Sequence, residues 1–172
     1  IKDSKGCLLN KSITISQPAS TLAVTSTASA ILCNGATTNV VVAATGGTPP
    51  YTGTGTFAVA AGTYTYTVTD SVGSVKTTSI SLTQPTALVP SVSAGRIIVY
   101  GGNTTISASA TGGKSPYTYK LDAGAYQTSG NFSGVLAGTH TITVKDANGC
   151  TTISNFSITQ PSAVLSMTVT PG

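Results

Sequence analysis

Three glutamine–proline pairs punctuate the sequence: Gln17 and Gln84 are 67 residues apart, Gln84 and Gln160 a further 76, and the same hairpin leads into each. The last copy reads Ala137-Gly138-Thr139-His140, the alternating run Thr141-Ile142-Thr143-Val144-Lys145, the turn Asp146-Ala147-Asn148-Gly149, Cys150, and a second run closing on Gln160-Pro161. Alternation sets Ile142 and Val144 on one face and the threonines and Lys145 on the other, which marks a half-buried strand. Asp146 can bond its own turn backbone, and Gly149 supplies the positive φ the turn exit needs. The equivalent turns are Asp3-Ser4-Lys5-Gly6 and Asp70-Ser71-Val72-Gly73. A second anchor agrees: Ala44-Thr45-Gly46-Gly47-Thr48-Pro49-Pro50-Tyr51 matches Ala110-Thr111-Gly112-Gly113-Lys114-Ser115-Pro116-Tyr117. A period this long exceeds a solenoid unit, so each copy is expected to be a small domain. Aligning Ala61-Gly62-Thr63-Tyr64 with Ala137-Gly138-Thr139-His140 places ten extra residues between Tyr117 and Ala137, as a loop or an added hairpin.

Composition then limits the class. Only 7% of residues are charged, against roughly 25% in an average soluble domain. Thr and Val favour strands and no 3.6-residue apolar period is visible, so essentially no helix is expected. The net charge of +4 reflects four aspartates and no glutamate, with eight cations scattered singly. That scatter argues against a nucleic-acid partner. No apolar stretch approaches the roughly 20 residues of a membrane span, and the first residues do not form a signal peptide.

In order, residues 1–20 read as the closing strands of a truncated repeat, with Ile13 and Ile15 facing its core. Residues 21–87 and 88–163 read as whole repeats, and 164–172 as the opening strand of another, so the chain is expected to be a window on a longer array. In the first whole repeat, strands are expected from Leu22 and Val24, over Val40 to Val42, from Tyr51, and through Tyr64, Tyr66 and Val68. In the second they are expected at Ile97 to Val99, Ile106 to Ala110 and Tyr117 to Leu121. Short strands at this spacing, broken by Gly and Pro, point to an all-β, two-sheet sandwich. Tyr64 stands where an immunoglobulin-like sandwich places an aromatic that bonds back to the preceding corner, and His140 is its equivalent.

Gly-Gly-x-x-Pro-Tyr, Ala-Gly-Thr-Tyr, Asp-x-x-Gly-Cys and Ile-x-x-Gln-Pro, in that order, resemble the SprB-type repeat of large surface adhesins from gliding bacteria with type IX secretion. The resemblance covers nearly the whole chain. It implies tandem immunoglobulin-like (PKD-like) β-sandwich repeats, an extracellular, cell-surface location, and service as a structural or adhesive fibre. Two departures stand out: the family's usual aromatic after the Pro-Tyr strand is absent, and each full repeat lacks one cysteine.

The family pattern has one cysteine before the first turn and one after the Asp turn. Here the first whole repeat has Cys33 but Ser74, and the second has Val99 but Cys150. Set on that pattern, Cys33 pairs with Cys150 if repeats stack end to end; Cys33 with Cys7, and three unbonded thiols, remain open. Asp70-Ser71-Val72 resembles the O-glycosylation signal of the same bacteria, which implies a glycan on Ser71.

Catalytic motifs are missing. Each repeat offers one turn acid and at most Asp122 besides, which does not make the carboxylate pair of a glycosidase. No nucleophile-elbow motif accompanies His140, the only histidine. Neither a metal-ligand cluster nor a calcium loop is present, and no cofactor is expected. The expected function is therefore a non-enzymatic fibre segment whose partners are neighbouring repeats, surface polysaccharide or other fibre subunits. The alternative is a carbohydrate-binding or spacer module of a secreted hydrolase, with Tyr117, Tyr119 and Tyr126 as the ligand-facing aromatics.

Overall fold

A computed structural model describes residues 4–8, 12–13 and 20–162. The described residues form eleven antiparallel strands and no helix. They divide into two compact units. The first holds the described residues up to Ala28 with Asn39–Phe57 and Thr63–Ile80; the second holds Ser29–Thr38, Ala58–Gly62 and the described residues from Ser81 onward. The expectations placed on Asp3, Ile15 and residues 164–172 lie outside the described residues, and Ile13 is exposed.

The first unit is built from β1 (Ala23–Ala28), β2 (Thr38–Thr45), β3 (Gly55–Val59), β4 (Gly62–Thr69) and β5 (Val75–Leu82). β2 lies between β1 and β3 in one sheet, and β4 and β5 make a hairpin. Alternation decides which side chains are inside: Val40 and Val42 are buried while Val41 between them is exposed. Val68 of β4 and Leu22 complete the buried set. The strand expected from Tyr51 reduces to a single bridge, Thr52 to Thr69. Regular pairing resumes only at Gly55, after a backbone kink at Gly53 (φ 87°) where the Thr67 carbonyl leaves no room for a side chain.

The second unit has β6 (Val89–Ala94), β7 (Thr104–Thr111) and β9 (Asn131–Val135) in one sheet, with β7 central. β8 (Thr118–Leu121), β10 (Gly138–Lys145) and β11 (Thr151–Ile158) form the other, in the order β11-β10-β8. Ile106, Ala108 and Val135 from the first sheet join Tyr119, Ile142, Val144 and Ile158 from the second in one apolar cluster. Two sheets sharing one core is the arrangement of a β-sandwich. Each fully buried Ile or Val adds about 2 kcal/mol of burial free energy.

The local geometry of the two units corresponds residue by residue. β1 runs on β2 from Ala23↔Thr45 to Ala28↔Val40. β6 runs on β7 from Val89↔Thr111 to Ala94↔Ile106, each position 66 residues further along. The bridge of Thr52 to Thr69 corresponds to Thr118↔Lys145, which β8 prolongs to Leu121↔Ile142. The ten extra residues therefore lengthen one short bridge into a strand and add the turn from Asp122 to Gly130, held to Tyr119 by Gln127.

The strand expected at Ile97 to Val99 is not there; the opening strand is β6, before it. Ile97 is buried, but Ile98, Val99 and Tyr100 sit in an exposed turn closed by the Gly102 amide on the Val99 carbonyl. Gly101 has φ 73°. The turn chemistry of Tyr100-Gly101-Gly102 overrides the β propensity of Ile-Ile-Val.

Candidate functional site

One carboxylate holds each Asp turn and ties it to the Gly-Gly loop. In the second unit, Asp146 Oδ1 accepts the amides of Asn148 and Cys150, both at 2.9 Å, which closes the turn. Its Oδ2 accepts the Lys114 amide at 2.9 Å, and the Ala147 amide returns a bond to the Lys114 carbonyl at 2.8 Å. Asp70 repeats the set with Val72, Ser74 and Thr48 at 3.1, 2.7 and 3.0 Å. Burial pushes the Asp70 carboxyl up, but the amides of Ser74, Thr48 and Val72 and the Ser74 hydroxyl outweigh it and hold it below its ordinary 3.8.

This clamp explains the glycine pair. A Cβ on Gly113 (φ 56°) would sit 2.6 Å from Asp146 Oδ2, and one on Gly112 (φ 74°) would overlap the Ala87 carbonyl. Gly47 and Gly46 meet Asp70 and the Thr21 carbonyl in the same way. The tyrosine closing the motif locks the loop from its far side. Tyr51 Oη donates to the Gly46 carbonyl and Tyr117 Oη to the Gly112 carbonyl, both at 2.6 Å. Tyr51 and Tyr117 thus each bond back to a carbonyl five residues earlier, in addition to the corner bond expected of His140, whose Nε2 meets the Leu136 carbonyl four residues back.

A second clamp, unread in the sequence, uses the glutamine of each Gln-Pro pair. Gln84 Oε1 accepts the Gly35 amide at 2.7 Å, and Gln160 Oε1 the Gly101 amide at 2.9 Å. Both glycines have φ near 75° and close equivalent turns, Cys33 to Ala36 and Val99 to Gly102. The signal was present in the fixed Gln of Gln-Pro. A boundary reading accounts for the proline alone.

Cys33 and Cys150 form a disulfide with Cα atoms 5.7 Å apart. Both belong to the second unit, which includes the loop Ser29–Thr38. Asn148 Nδ2 donates to the Leu32 carbonyl at 2.8 Å beside the bond, so the Asp146 turn holds this loop by a covalent and a polar contact. Cys7 is exposed. Gly6, Gly73 and Gly149 share φ near 86°, so all three described turn glycines occupy the left-handed region their position requires. Ser71 is exposed, and its hydroxyl donates to the Thr48 carbonyl at 3.0 Å. A glycan there would replace that donor.

His140 joins the extra turn to the sandwich. Its Nδ1 lies 2.9 Å from Asp122 Oδ2 and its Nε2 3.1 Å from the Leu136 carbonyl. Both neighbours are acceptors, so the ring makes both bonds only as the imidazolium. Asp122 also accepts the Thr141 amide through Oδ1 at 2.8 Å. The hydrogen bond to Asp122 raises the His140 pKa above its ordinary 6.5, and the same bond lowers Asp122 below 3.8. The residue equivalent to His140 in the first unit is Tyr64, where no inserted turn supplies a carboxylate. The stabilisation from His140 is complete below pH 6.5 and lost as pH rises through its folded value. That from Asp122 is present above 3.8 and lost as pH falls through its own lowered value. An NMR titration of the His140 ring is expected to show a pKa above 6.5 that Asp122→Asn returns toward 6.5; a wild-type value at or below 6.5 would contradict the paired geometry.

The aromatic surface expected from Tyr117, Tyr119 and Tyr126 reduces to one residue. Tyr119 is 8% exposed and lies in the core cluster, because its position on β8 faces the other sheet. Tyr117 is half-buried, with its hydroxyl committed to Gly112. Tyr126 is exposed, with the ammonium of Lys145 4.3 Å and that of Lys120 5.4 Å from its ring centre. Among the described residues no three His, Cys, Asp or Glu side chains are grouped to hold a metal ion. No helix among them is long and apolar enough to cross a membrane. Neither a protein-family model nor a curated protein matches the chain.

Proposed function

We propose that this chain is a segment of a tandem array of immunoglobulin-like (PKD-like) sandwich repeats of the SprB type, acting as a structural or adhesive part of a large secreted surface fibre and carrying no catalysis. The observation that carries the reading is the recurrence of whole devices. The Asp clamp recurs at 70 and 146, the Gln clamp at 84 and 160, and the tyrosine lock at 51 and 117, each with backbone partners at equivalent positions. Their bonds fix turns and loop crossings.

The Cys33–Cys150 bond supports an oxidising, extracellular setting. It spans 117 residues of sequence, so tension applied at the chain ends passes through it and bypasses the hydrogen bonds of the enclosed segment. In this reading the partners are neighbouring repeats, other fibre subunits and surface polysaccharide. The rival reading, a carbohydrate-binding module, rests on Tyr126 and its two lysines alone.

Protease shaving of intact producing cells, followed by non-reducing peptide mass mapping, tests the reading. Released peptides are expected to carry Cys33 linked to Cys150. Recovery only from lysed cells, with Cys33 unlinked, would overturn it.

A further inference from the structure

The exposed turn at Ile98 to Tyr100 has an internal precedent for what covers it. Its equivalent, Leu32 to Asn34, is held by the Asp146 turn through the Cys33–Cys150 bond and the Asn148 to Leu32 contact. Both turns are closed by the same amide-to-carbonyl bond and clamped by the same glutamine, so they present the same backbone. Only the side chains differ. Where one turn has a cysteine flanked by Leu and Asn, the other has Val99 (61% exposed) between Ile98 (79%) and Tyr100 (53%).

The Asp70 turn, equivalent to the Asp146 turn, differs in the same sense. Its backbone matches, down to φ 87° at Gly73 and 86° at Gly149. Position 72 is valine (65% exposed) where the other has Asn148, position 74 is serine in place of Cys150, and position 75 is valine (57% exposed) in place of Thr151. One pairing is made by the disulfide and by Asn148 on the Leu32 carbonyl; at the matching positions the remaining two turns carry exposed apolar side chains, Ile98, Val99 and Tyr100 on one and Val72 and Val75 on the other. Consecutive exposed apolar residues of this kind mark an interaction surface.

We infer that the Ile98–Tyr100 turn is a docking face for a second copy of this fold, received through an Asp turn of the Asp70 type, with Ile98, Val99 and Tyr100 packing on Val72 and Val75. The contact is heterologous, head to tail, and propagates rather than closes. It uses apolar burial where the Cys33 loop uses a disulfide, so the two kinds of junction do not exchange partners. The inference rests on the tandem-repeat part of the proposed function and on neither its adhesive role nor its location.

Thiol trapping tests it. Val99 is equivalent to Cys33 and Ser74 to Cys150, so cysteines at these positions come within bonding distance if the docking matches the precedent. Val99→Cys and Ser74→Cys variants of this 172-residue chain, both also Cys7→Ser, are mixed in equal amounts in a glutathione redox buffer. The mixed dimer is expected in about tenfold excess over either self-dimer, and adding Tyr100→Asp to the Val99→Cys chain should remove the excess. The three dimers in statistical proportion, or an excess that survives Tyr100→Asp, would overturn the docking face. The native bond is mapped in the same samples. A statistical result with Cys33–Cys150 intact sinks the docking face and leaves the array standing, whereas loss of that bond from the untreated wild-type chain counts against the array itself.

Discussion

Replacing Cys33 and Cys150 together by serine is expected to destabilise the protein by about 4 kcal/mol, seen as a fall in Tm of roughly 20 °C. The bond closes a 117-residue loop. The chain-entropy cost released on opening such a loop approaches 5 kcal/mol, and native disulfides deliver somewhat less than that limit. The double substitution avoids leaving one thiol to form mixed disulfides. Differential scanning calorimetry of wild type, wild type with reductant and the double variant separates the bond from the side chains. Reduced wild type and the variant should agree, and both should melt well below the oxidised protein. A change of only a few degrees would mean that the bond closes on a segment already held by other contacts.

Asp146→Ala is expected to cost about 3 kcal/mol. The substitution leaves the amides of Lys114, Asn148 and Cys150 without their shared acceptor. Bonds to a charged acceptor are worth about 1.5–3 kcal/mol each, and the amides regain water to different extents, so the sum is not fully lost. Asp146→Asn keeps one acceptor oxygen but turns an NH2 group toward an amide donor, so it should recover only about 1 kcal/mol of the loss. Hydrogen exchange at those three amides gives the local readout: each should lose protection in Asp146→Ala ahead of the β10–β11 ladder. Uniform loss across the unit would show that the carboxylate acts on the whole fold rather than on the turn. Because a Cβ at position 113 would collide with the same carboxylate, Gly113→Ala and Asp146→Ala are expected to be less than additive.

The strands were readable in the sequence where alternation was strict. Thr-Ile-Thr-Val in β10 buries the alternate residues that pattern demands, whereas Val40-Val41-Val42 in β2 shows no alternation in sequence and only the fold decides that Val41 is the exposed one. Reading failed where a backbone device outranked propensity. Ile97-Ile98-Val99 looks like a strand, yet Gly101, with its amide held by Gln160 Oε1, turns it into an exposed loop. Tyr51 and Tyr117 look like strand aromatics, but each spends its hydroxyl on a carbonyl five residues back. The repeated Gly-Gly, Asp and Gln positions were visible as a pattern. Their purpose was not, because one carboxylate serving two loops 32 residues apart is a tertiary contact with no local period. The Asp122–His140 pair was hidden for the same reason: the acid lies inside the insertion and the histidine beyond it, and only the pairing of β8 with β10 brings them together.

Extending single molecules by their ends tests the central claim, that this chain is a load-bearing array element whose disulfide carries the tension. With Cys33 bonded to Cys150, the segment between them, a sequence separation of 117, cannot contribute to extension. At about 3.6 Å per residue, the oxidised protein is expected to release about 400 Å less contour length than the reduced protein under the same force. Equal contour lengths in the two states would contradict it.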